Sequence, residues 1–210
     1  SPGTGKTMLA KRIPTVMPEL SFEESIELTK VCSVAGVMKE NQSLVLSRPF
    51  RAPHHSITKT ALVGGGKYPQ PGEISLATNG VLFLDELPEF DMSTLELLRQ
   101  PLEERNVVIS RLNGTYQYPT NFMLVASMNP CKCGYYPNRL RCHCSYSQIH
   151  RYLSHISGPL LDRIDVFIET APIEYKELQK QEATEGSSQI RERILQARKI
   201  QMARYSKEPF

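Results

Sequence analysis

Two adjacent carboxylates, Asp85 and Glu86, close a run of four apolar residues, Val81-Leu82-Phe83-Leu84, that Gly80 precedes. The run does not alternate with polar residues, so it reads as a strand buried on both faces, as in a parallel sheet. Ligands of open α/β sheets lie beyond the carboxyl ends of their strands, which puts the acidic pair at a crevice where it suits a metal ion and a water. An ordinary strand ending in a charged turn has the same pattern, so a second motif has to decide. That motif is Ser1-Pro2-Gly3-Thr4-Gly5-Lys6-Thr7, followed by a helical pattern with Leu9, Ala10, Ile13 and Val16 on one side. It matches the phosphate-cradling loop G-x-x-x-x-G-K-[ST] except at the first glycine, which would stand one residue before Ser1. Gly3, Thr4 and Gly5 form a loop whose backbone N–H groups can approach phosphate oxygens. Lys6 reaches the β- and γ-phosphates, and the Thr7 hydroxyl ligates Mg²⁺ at a helix N-terminus. The two motifs together read as the Walker A and Walker B pair of a nucleoside triphosphatase.

Four further groups hold residue types fit for chemistry. Phe122 to Ser127 is a second mostly apolar strand with Asn129 beyond its carboxyl end. There the amide can hydrogen-bond a γ-phosphate or an attacking water, although a turn-forming Asn before Pro130 gives the same residues. Cys131-Lys132-Cys133 and Cys142-His143-Cys144 bracket a loop, Gly134 to Arg141. Cys131, Cys133, Cys142 and Cys144, brought together by one loop closure, can complete a tetrahedral Zn²⁺ site with His143 as a substitute ligand; the alternative is reduced free thiols or a redox pair. The loop is also basic, with Lys132, Arg139 and Arg141, and contains Tyr135 and Tyr136. His54-His55 invites a metal reading, but nothing else stands at ligand spacing, so polar loop residues meeting a neighbouring subunit are preferred. Arg163 lies close to Asp162 and Asp165, which suggests a local salt bridge.

The elements that must position these groups alternate between helix and strand. Ser21, placed as an N-cap with Glu24 at the capping-box position, opens a helix that runs to Val34, with Cys32 on its apolar side. Gly36 to Ser47 reads as a loop, and Arg48-to-His55 as an extended run near a sheet edge, because prolines bound it. Ile57 to Val63 and Glu73 to Ala77 read as one helix interrupted by a projecting turn or hairpin, with Lys67 and Tyr68 at its tip. Ser93 to Gln100 is a helix with Leu95 and Leu98 at core spacing and Pro101 to stop it. Asn106 to Pro119 is a hairpin around Asn113-Gly114, which favours a tight primed turn. Val166-Phe167-Ile168 reads as a strand. Beyond Pro172 the composition turns polar, and Gln189 to Tyr205 is a helix with Ile190, Ile194, Ala197 and Ile200 on one stripe.

With 210 residues the chain can bury one substantial core and part of a second. No apolar run approaches a membrane span and nothing at the start resembles a signal peptide, so a cytoplasmic protein is expected. Five cysteines without secretory signs fit a reducing compartment. The net charge of +3, from 25 Lys plus Arg against 22 Asp plus Glu, is too small to argue for nucleic acid by itself.

The chain resembles the magnesium-chelatase-like AAA+ ATPases, most closely their ComM/YifB branch. The likeness runs from Ser1 to about Arg204 and rests on Arg48-to-His55, Gly64-to-Gly66, Pro71-to-Ala77, Gly80-to-Phe90, Asn129-to-Gly134 and Ile156-to-Asp165. The resemblance implies an α/β three-layer P-loop sandwich with a parallel sheet in the order 5-1-4-3-2, an insert breaking the second helix, and a hairpin before the sensor strand. It divides the chain into a core over 1–172, with the cysteine insertion at 131–144, and a linker with the start of a helical lid over 173–210. It implies ATP and Mg²⁺ as cofactors, with Asp85 coordinating Mg²⁺, Glu86 polarising water, Asn129 as first sensor and Arg163 as an arginine finger acting on the adjacent subunit. It further implies hexameric rings acting as DNA helicases in branch migration, with Lys67, Tyr68, Arg111, Tyr116 and Tyr118 as pore-facing candidates. A chelatase-type ATPase that remodels a metal-inserting complex, or a nucleotide-binding scaffold, is the alternative. The first P-loop glycine and the strand that the family places before it, like most of the lid, would fall outside these 210 residues. These 210 residues alone are therefore expected to hydrolyse ATP poorly or not at all.

Overall fold

The computed structural model describes residues 5–112, 114–170 and 185–205. In chain order the helices are α1 (Lys6–Val16), α2 (Phe22–Val34), α3 (Lys59–Val63), α4 (Glu73–Leu76), α5 (Met92–Leu95), α6 (Arg99–Glu104), α7 (Tyr146–Leu153), α8 (Gly158–Leu161) and α9 (Ser187–Tyr205). The strands are β1 (Phe50–Arg51), β2 (Gly64–Gly65), β3 (Gln70–Pro71), β4 (Val81–Leu84), β5 (Asn106–Arg111), β6 (Gly114–Pro119) and β7 (Met123–Ala126). Gly3, Thr4 and Asn113 lie outside the described residues, as does the domain boundary expected after residue 172.

The centre of the fold is β4, whose four side chains are all buried, as an unalternated apolar run requires. It pairs in parallel with β1 on one side and β7 on the other. This arrangement is the 2-3-4 portion of the implied strand order, and the chain has an α/β P-loop AAA+ fold. One face of β4 presents Leu82 and Leu84 to the main core, joined there by Leu62, Ile74, Phe90 and Leu98. On the other face Phe83 stacks on Phe50 at 5.9 Å between ring centroids. β1 comes close because Gly80 has no side chain: a Cβ there would lie 2.2 Å from the Pro49 carbonyl oxygen, which accepts the Val81 N–H at 2.9 Å.

α2 begins as its sequence dictates. The Ser21 side chain accepts the Glu24 N–H, and the Glu24 carboxylate accepts the Ser21 N–H at 2.8 Å. Arg48, which the sequence reading treated only as part of an extended run, ties this helix to the sheet. Its guanidinium donates to the carbonyls of Pro18, Glu19 and Asn79 and pairs with Glu24 at 3.0 Å. Arg51 forks onto both oxygens of Glu73 at 2.5 and 2.6 Å and so fastens β1 to the start of α4.

Two hairpins project from this core. β2 and β3 form an antiparallel pair between α3 and α4, so the helix interrupted by a hairpin is present, with Lys67 and Tyr68 in its turn. β5 and β6 pair over six positions from Asn106↔Pro119 to Arg111↔Gly114, as the sequence indicates. The two hairpins pack side by side. Gly64, at φ +109°, leaves no room for a Cβ beside Ile109, and the Tyr118 hydroxyl donates to the Pro69 carbonyl at 2.9 Å.

Four expectations are corrected. Pro101 does not stop a helix: it sits in the first turn of α6, where its missing N–H has no intrahelical partner to lose. The helix over Ser93 to Gln100 is instead α5, a 3₁₀ turn over Glu96–Leu98 and the start of α6, while Leu95 and Leu98 are buried as expected. Val166-Phe167-Ile168 is not a strand. The implied order puts another strand between this run and β7, no described residues supply one, and the three side chains stay 69–82% exposed. In α1 only Ala10 is buried, whereas Leu9 is 56% exposed. The stripe of α9 meets α1 only at its start. There Ile190 and Ile194 are half-buried and Arg191 donates to the Thr15 carbonyl, but Ala197 and Ile200 remain exposed. No described helix is long and apolar enough to cross a membrane.

Candidate active site

The carboxyl ends of β4 and β7 stand side by side because their register pairs Leu84 with Ala126, which brings Asp85 opposite Ser127. Ser127 donates to one Asp85 oxygen, and the Glu86 N–H donates to the same oxygen at 3.1 Å. The other Asp85 oxygen accepts the Thr7 hydroxyl at 2.6 Å. Burial pushes the Asp85 carboxyl up, but the donors Ser127, Thr7 and the Glu86 N–H, with Lys6 nearby, outweigh it and hold the group below the usual carboxylate range. Lys6 reaches across from the start of α1: its ammonium donates to the Asn129 side-chain oxygen at 2.8 Å and to the Met128 carbonyl at 3.0 Å. α1 itself starts at Gly5, which is left-handed at φ +71° and offers no side-chain cap, so its first N–H groups are left for another partner.

Glu86 is exposed and has φ +56°, a left-handed backbone that is uncommon outside glycine and costs free energy to hold. The twist turns the chain out of β4 into a 3₁₀ turn, with the Leu87 N–H bonded to the Ser127 carbonyl at 2.8 Å. It separates two neighbouring carboxylates into different surroundings, one wrapped in donors and one open to water. Lys6, Thr7, Asp85, Glu86 and Asn129 thus share one crevice at the sheet's carboxyl edge. Thr7 and Asp85 present hard oxygens to a common point, the donor set Mg²⁺ favours, and Lys6 with the free N–H groups of α1 fits phosphate oxygens. ATP with Mg²⁺ fits these residues.

The family model described as magnesium chelatase, subunit ChlI, matches residues 1–178. The chain belongs to the magnesium-chelatase family of AAA+ ATPases. Competence protein ComM of Haemophilus influenzae is 51% identical over 208 residues, which is 98% of this chain and 40% of that protein. An uncharacterized protein YifB of Escherichia coli is 45% identical with the same coverage. A magnesium-chelatase subunit ChlI homolog of Methanocaldococcus jannaschii is 21% identical over 94% of this chain. The chain therefore falls in the ComM/YifB branch of the family, and it spans about 40% of the length of those first two relatives.

Beside the crevice of this family member stands a second cluster. The sulfurs of Cys131, Cys133, Cys142 and Cys144 all lie within 4.8 Å of one another, with 3.3, 3.6 and 3.8 Å among the first three. Thiolates about 2.3 Å from a tetrahedral metal stand roughly 3.8 Å apart, so the spacing fits a metal ion. Burial pushes the Cys131 thiol up, but the Tyr136 and Gly134 N–H groups and the neighbouring thiols bring it down overall, while burial pushes Cys142 up. His143 is exposed and outside the cluster of four sulfurs. The cluster is coupled to the crevice through α7, whose Tyr152 lies beside the Asn129 backbone and close to Glu86 and Glu89. Burial, with those two carboxylates, pushes its hydroxyl up to about 12.

Other residues singled out from the sequence fall elsewhere. Arg163 pairs with Glu103, sixty residues away, at 2.7 Å from Nε, and not with Asp162 or Asp165. The one-turn α8 ends at Asp162, which turns the following arginine toward α6. Tyr118 is buried between the two hairpins and cannot present a face to solvent, because period-two alternation puts it inward beside Val107. Tyr68, Arg111 and Tyr116 are exposed, and Lys67 lies over the Tyr68 ring at 5.9 Å. The rings of His54 and His55 lie 3.9 Å apart between centroids, tilted by 36°, with His54 bonded to Ser56. The residues the sequence reading missed are Ser127, Tyr152 and Arg48. Ser127 was legible in principle, since pairing the two apolar runs end to end sets it against Asp85. Tyr152 and Arg48 depend on long-range packing that no local pattern announces.

Proposed function

We propose that this chain is the nucleotide-binding core of an ATP-hydrolysing ring motor that acts on DNA, of the kind that drives branch migration during DNA uptake and recombination. The single observation that carries it is the convergence of Lys6 on Asn129 and of Thr7 on Asp85, with Glu86 turned free beside them. When bound, ATP with Mg²⁺ would supply an electrophilic phosphoryl group for water to attack. Lys6 would neutralise phosphate charge, the Thr7 and Asp85 oxygens would hold the cation, and Asn129 would orient the reacting groups. Glu86, exposed and without the donors that surround Asp85, accepts the proton of the attacking water. Arg163 acts as an arginine finger on the neighbouring subunit, so that its release from Glu103 belongs to assembly of a hexameric ring.

DNA as substrate is supported by the printed name of the Haemophilus influenzae relative, competence protein. It is supported as well by the two exposed hairpins, where Lys67, Tyr68, Arg111 and Tyr116 offer charge and stacking faces to a threaded strand. The four-thiolate cluster holds zinc, which fixes an otherwise unsupported loop, and the reduced thiols agree with a cytoplasmic protein. The test is the ATPase rate of the full-length protein with and without single-stranded or forked DNA at two salt concentrations. Stimulation that weakens with salt is expected. A rate indifferent to every DNA would favour remodelling of a protein complex, as in a chelatase, and elemental analysis without zinc would remove the metal from the reading.

A further inference from the structure

The stretch from Arg105 to Leu161 contains no Asp or Glu at all, although it is 57 residues long. Six of the chain's 25 Lys and Arg fall within it and none of its 22 Asp and Glu, so it carries +6 and the remainder of the chain −3. A nearly balanced protein is therefore strongly polarised along its sequence. Three of the six cations, Lys132, Arg139 and Arg141, lie on the cysteine-clasped loop and are exposed.

The two arginines are held in a specific way. Arg139 lies over the rings of Tyr136 and Tyr146, at 5.0 and 4.5 Å from their centroids, and also donates to the Cys144 carbonyl at 2.9 Å. Arg141 lies over the Tyr135 ring at 4.3 Å. A guanidinium has five N–H donors in a planar fork, so one that lies over a ring and makes a single carbonyl bond still has donors for phosphate oxygens. Stacking also removes side-chain freedom that binding would otherwise have to freeze. Between them Leu140 is 92% exposed at the tip of the loop, and Tyr146 is 75% exposed beside it. A leucine so exposed gains nothing from folding. Flanked by phosphate-gripping groups, it suits an apolar wedge against an unstacked base step, with the tyrosine as a stacking platform. Of the four cysteines, Cys131 and Cys142 are buried and Cys133 and Cys144 half-buried, whereas Arg139, Leu140 and Arg141 are exposed.

We infer that the cysteine-clasped loop is a second nucleic-acid contact, separate from the projecting hairpins, which grips the backbone through Lys132, Arg139 and Arg141 and meets splayed bases through Leu140 and Tyr146. Its partner is DNA with unpaired bases next to a duplex, as at a fork. Because the loop leads from Asn129 into α7, and Tyr152 of α7 returns to the Asn129 backbone, DNA held there sits within one short tether of the nucleotide crevice.

The inference rests on DNA being the substrate, and the experiment separates the two. Binding of fluorescein-labelled forked DNA to the full-length protein is measured by anisotropy over a range of salt, for wild type, Arg139→Ala/Arg141→Ala, and Lys132→Gln/Leu140→Ser. Metal content and ring size are recorded for each. The second variant alters exposed side chains that hold no part of the loop together, so it stays informative if the first loses its metal or its fold. Loss of two phosphate contacts lowers the slope of log K against log salt by about 1.5 to 2, and loss of one by about half that, with affinity down by roughly tenfold in the first case. Unchanged affinity and slope in metal-replete variants, while wild type binds, overturn the inference and leave the DNA motor standing. A wild type that binds no DNA overturns both. Variants that lose ring assembly but bind DNA normally as smaller species overturn it in favour of a subunit contact.

Discussion

Glu86 differs from Asp85 in everything but its acid group. Asp85 is wrapped by Ser127, Thr7 and a backbone N–H, while Glu86 stands exposed on a left-handed backbone. Glu86→Gln should therefore leave ATP binding intact and lower the turnover of the full-length protein by about 10²- to 10⁴-fold, the usual range for a general base. Nucleotide titration beside steady-state turnover checks it. Asp85 gives a pH signature instead. Its folded pKa is depressed, so the advantage of its charged form is complete above the ordinary carboxylate value and is lost as pH falls through the lower folded one. Ser127→Ala removes one donor and raises that value, so the acid limb of Mg²⁺-dependent nucleotide binding should move to higher pH. An unmoved limb would mean that Ser127 does not tune the site. Lys6, Thr7, Asp85 and Asn129 were legible because motif and strand end each specify a place in the fold. Arg48 was not, because three of its partners are backbone carbonyls that only the folded chain brings together.

At the scale of elements, local rules held where they were self-contained. The capping box of Ser21 and Glu24, the alternation that pairs Val107 with Tyr118, and the glycine-rich break between α3 and α4 each carry their own geometry. They failed where a neighbour was needed, since Val166-Phe167-Ile168 has β-branched and aromatic residues yet no adjoining strand among the described residues to pair with. Pro101 failed for another reason: position within a helix, not presence, decides whether proline breaks it. The hairpins offer a direct test of element packing. Tyr118→Phe deletes the hydroxyl that bonds Pro69 and should cost about 0.5–1.5 kcal/mol in chemical denaturation of the full-length protein. A wild-type midpoint would show that the bond adds nothing beyond ring burial.

For the whole molecule, the Arg163–Glu103 pair lies at the surface, with both side chains close to half exposed. Such a pair is weak enough to be exchanged for a partner across an interface. If Arg163 acts in the next subunit, Arg163→Ala and Lys6→Ala proteins should each be inactive alone and regain part of the ATPase rate when mixed, since each supplies what the other lacks. No recovery on mixing, with co-assembly verified by light scattering, would place Arg163 outside its neighbour's site. The bond between Tyr118 and the Pro69 carbonyl has a consequence at this scale as well. With Gly64 packed against Ile109, it welds two protrusions that lie far apart along the chain into a single lever. Neither arm can swing while the other stays put, so a displacement of one tip must carry the other through the same arc.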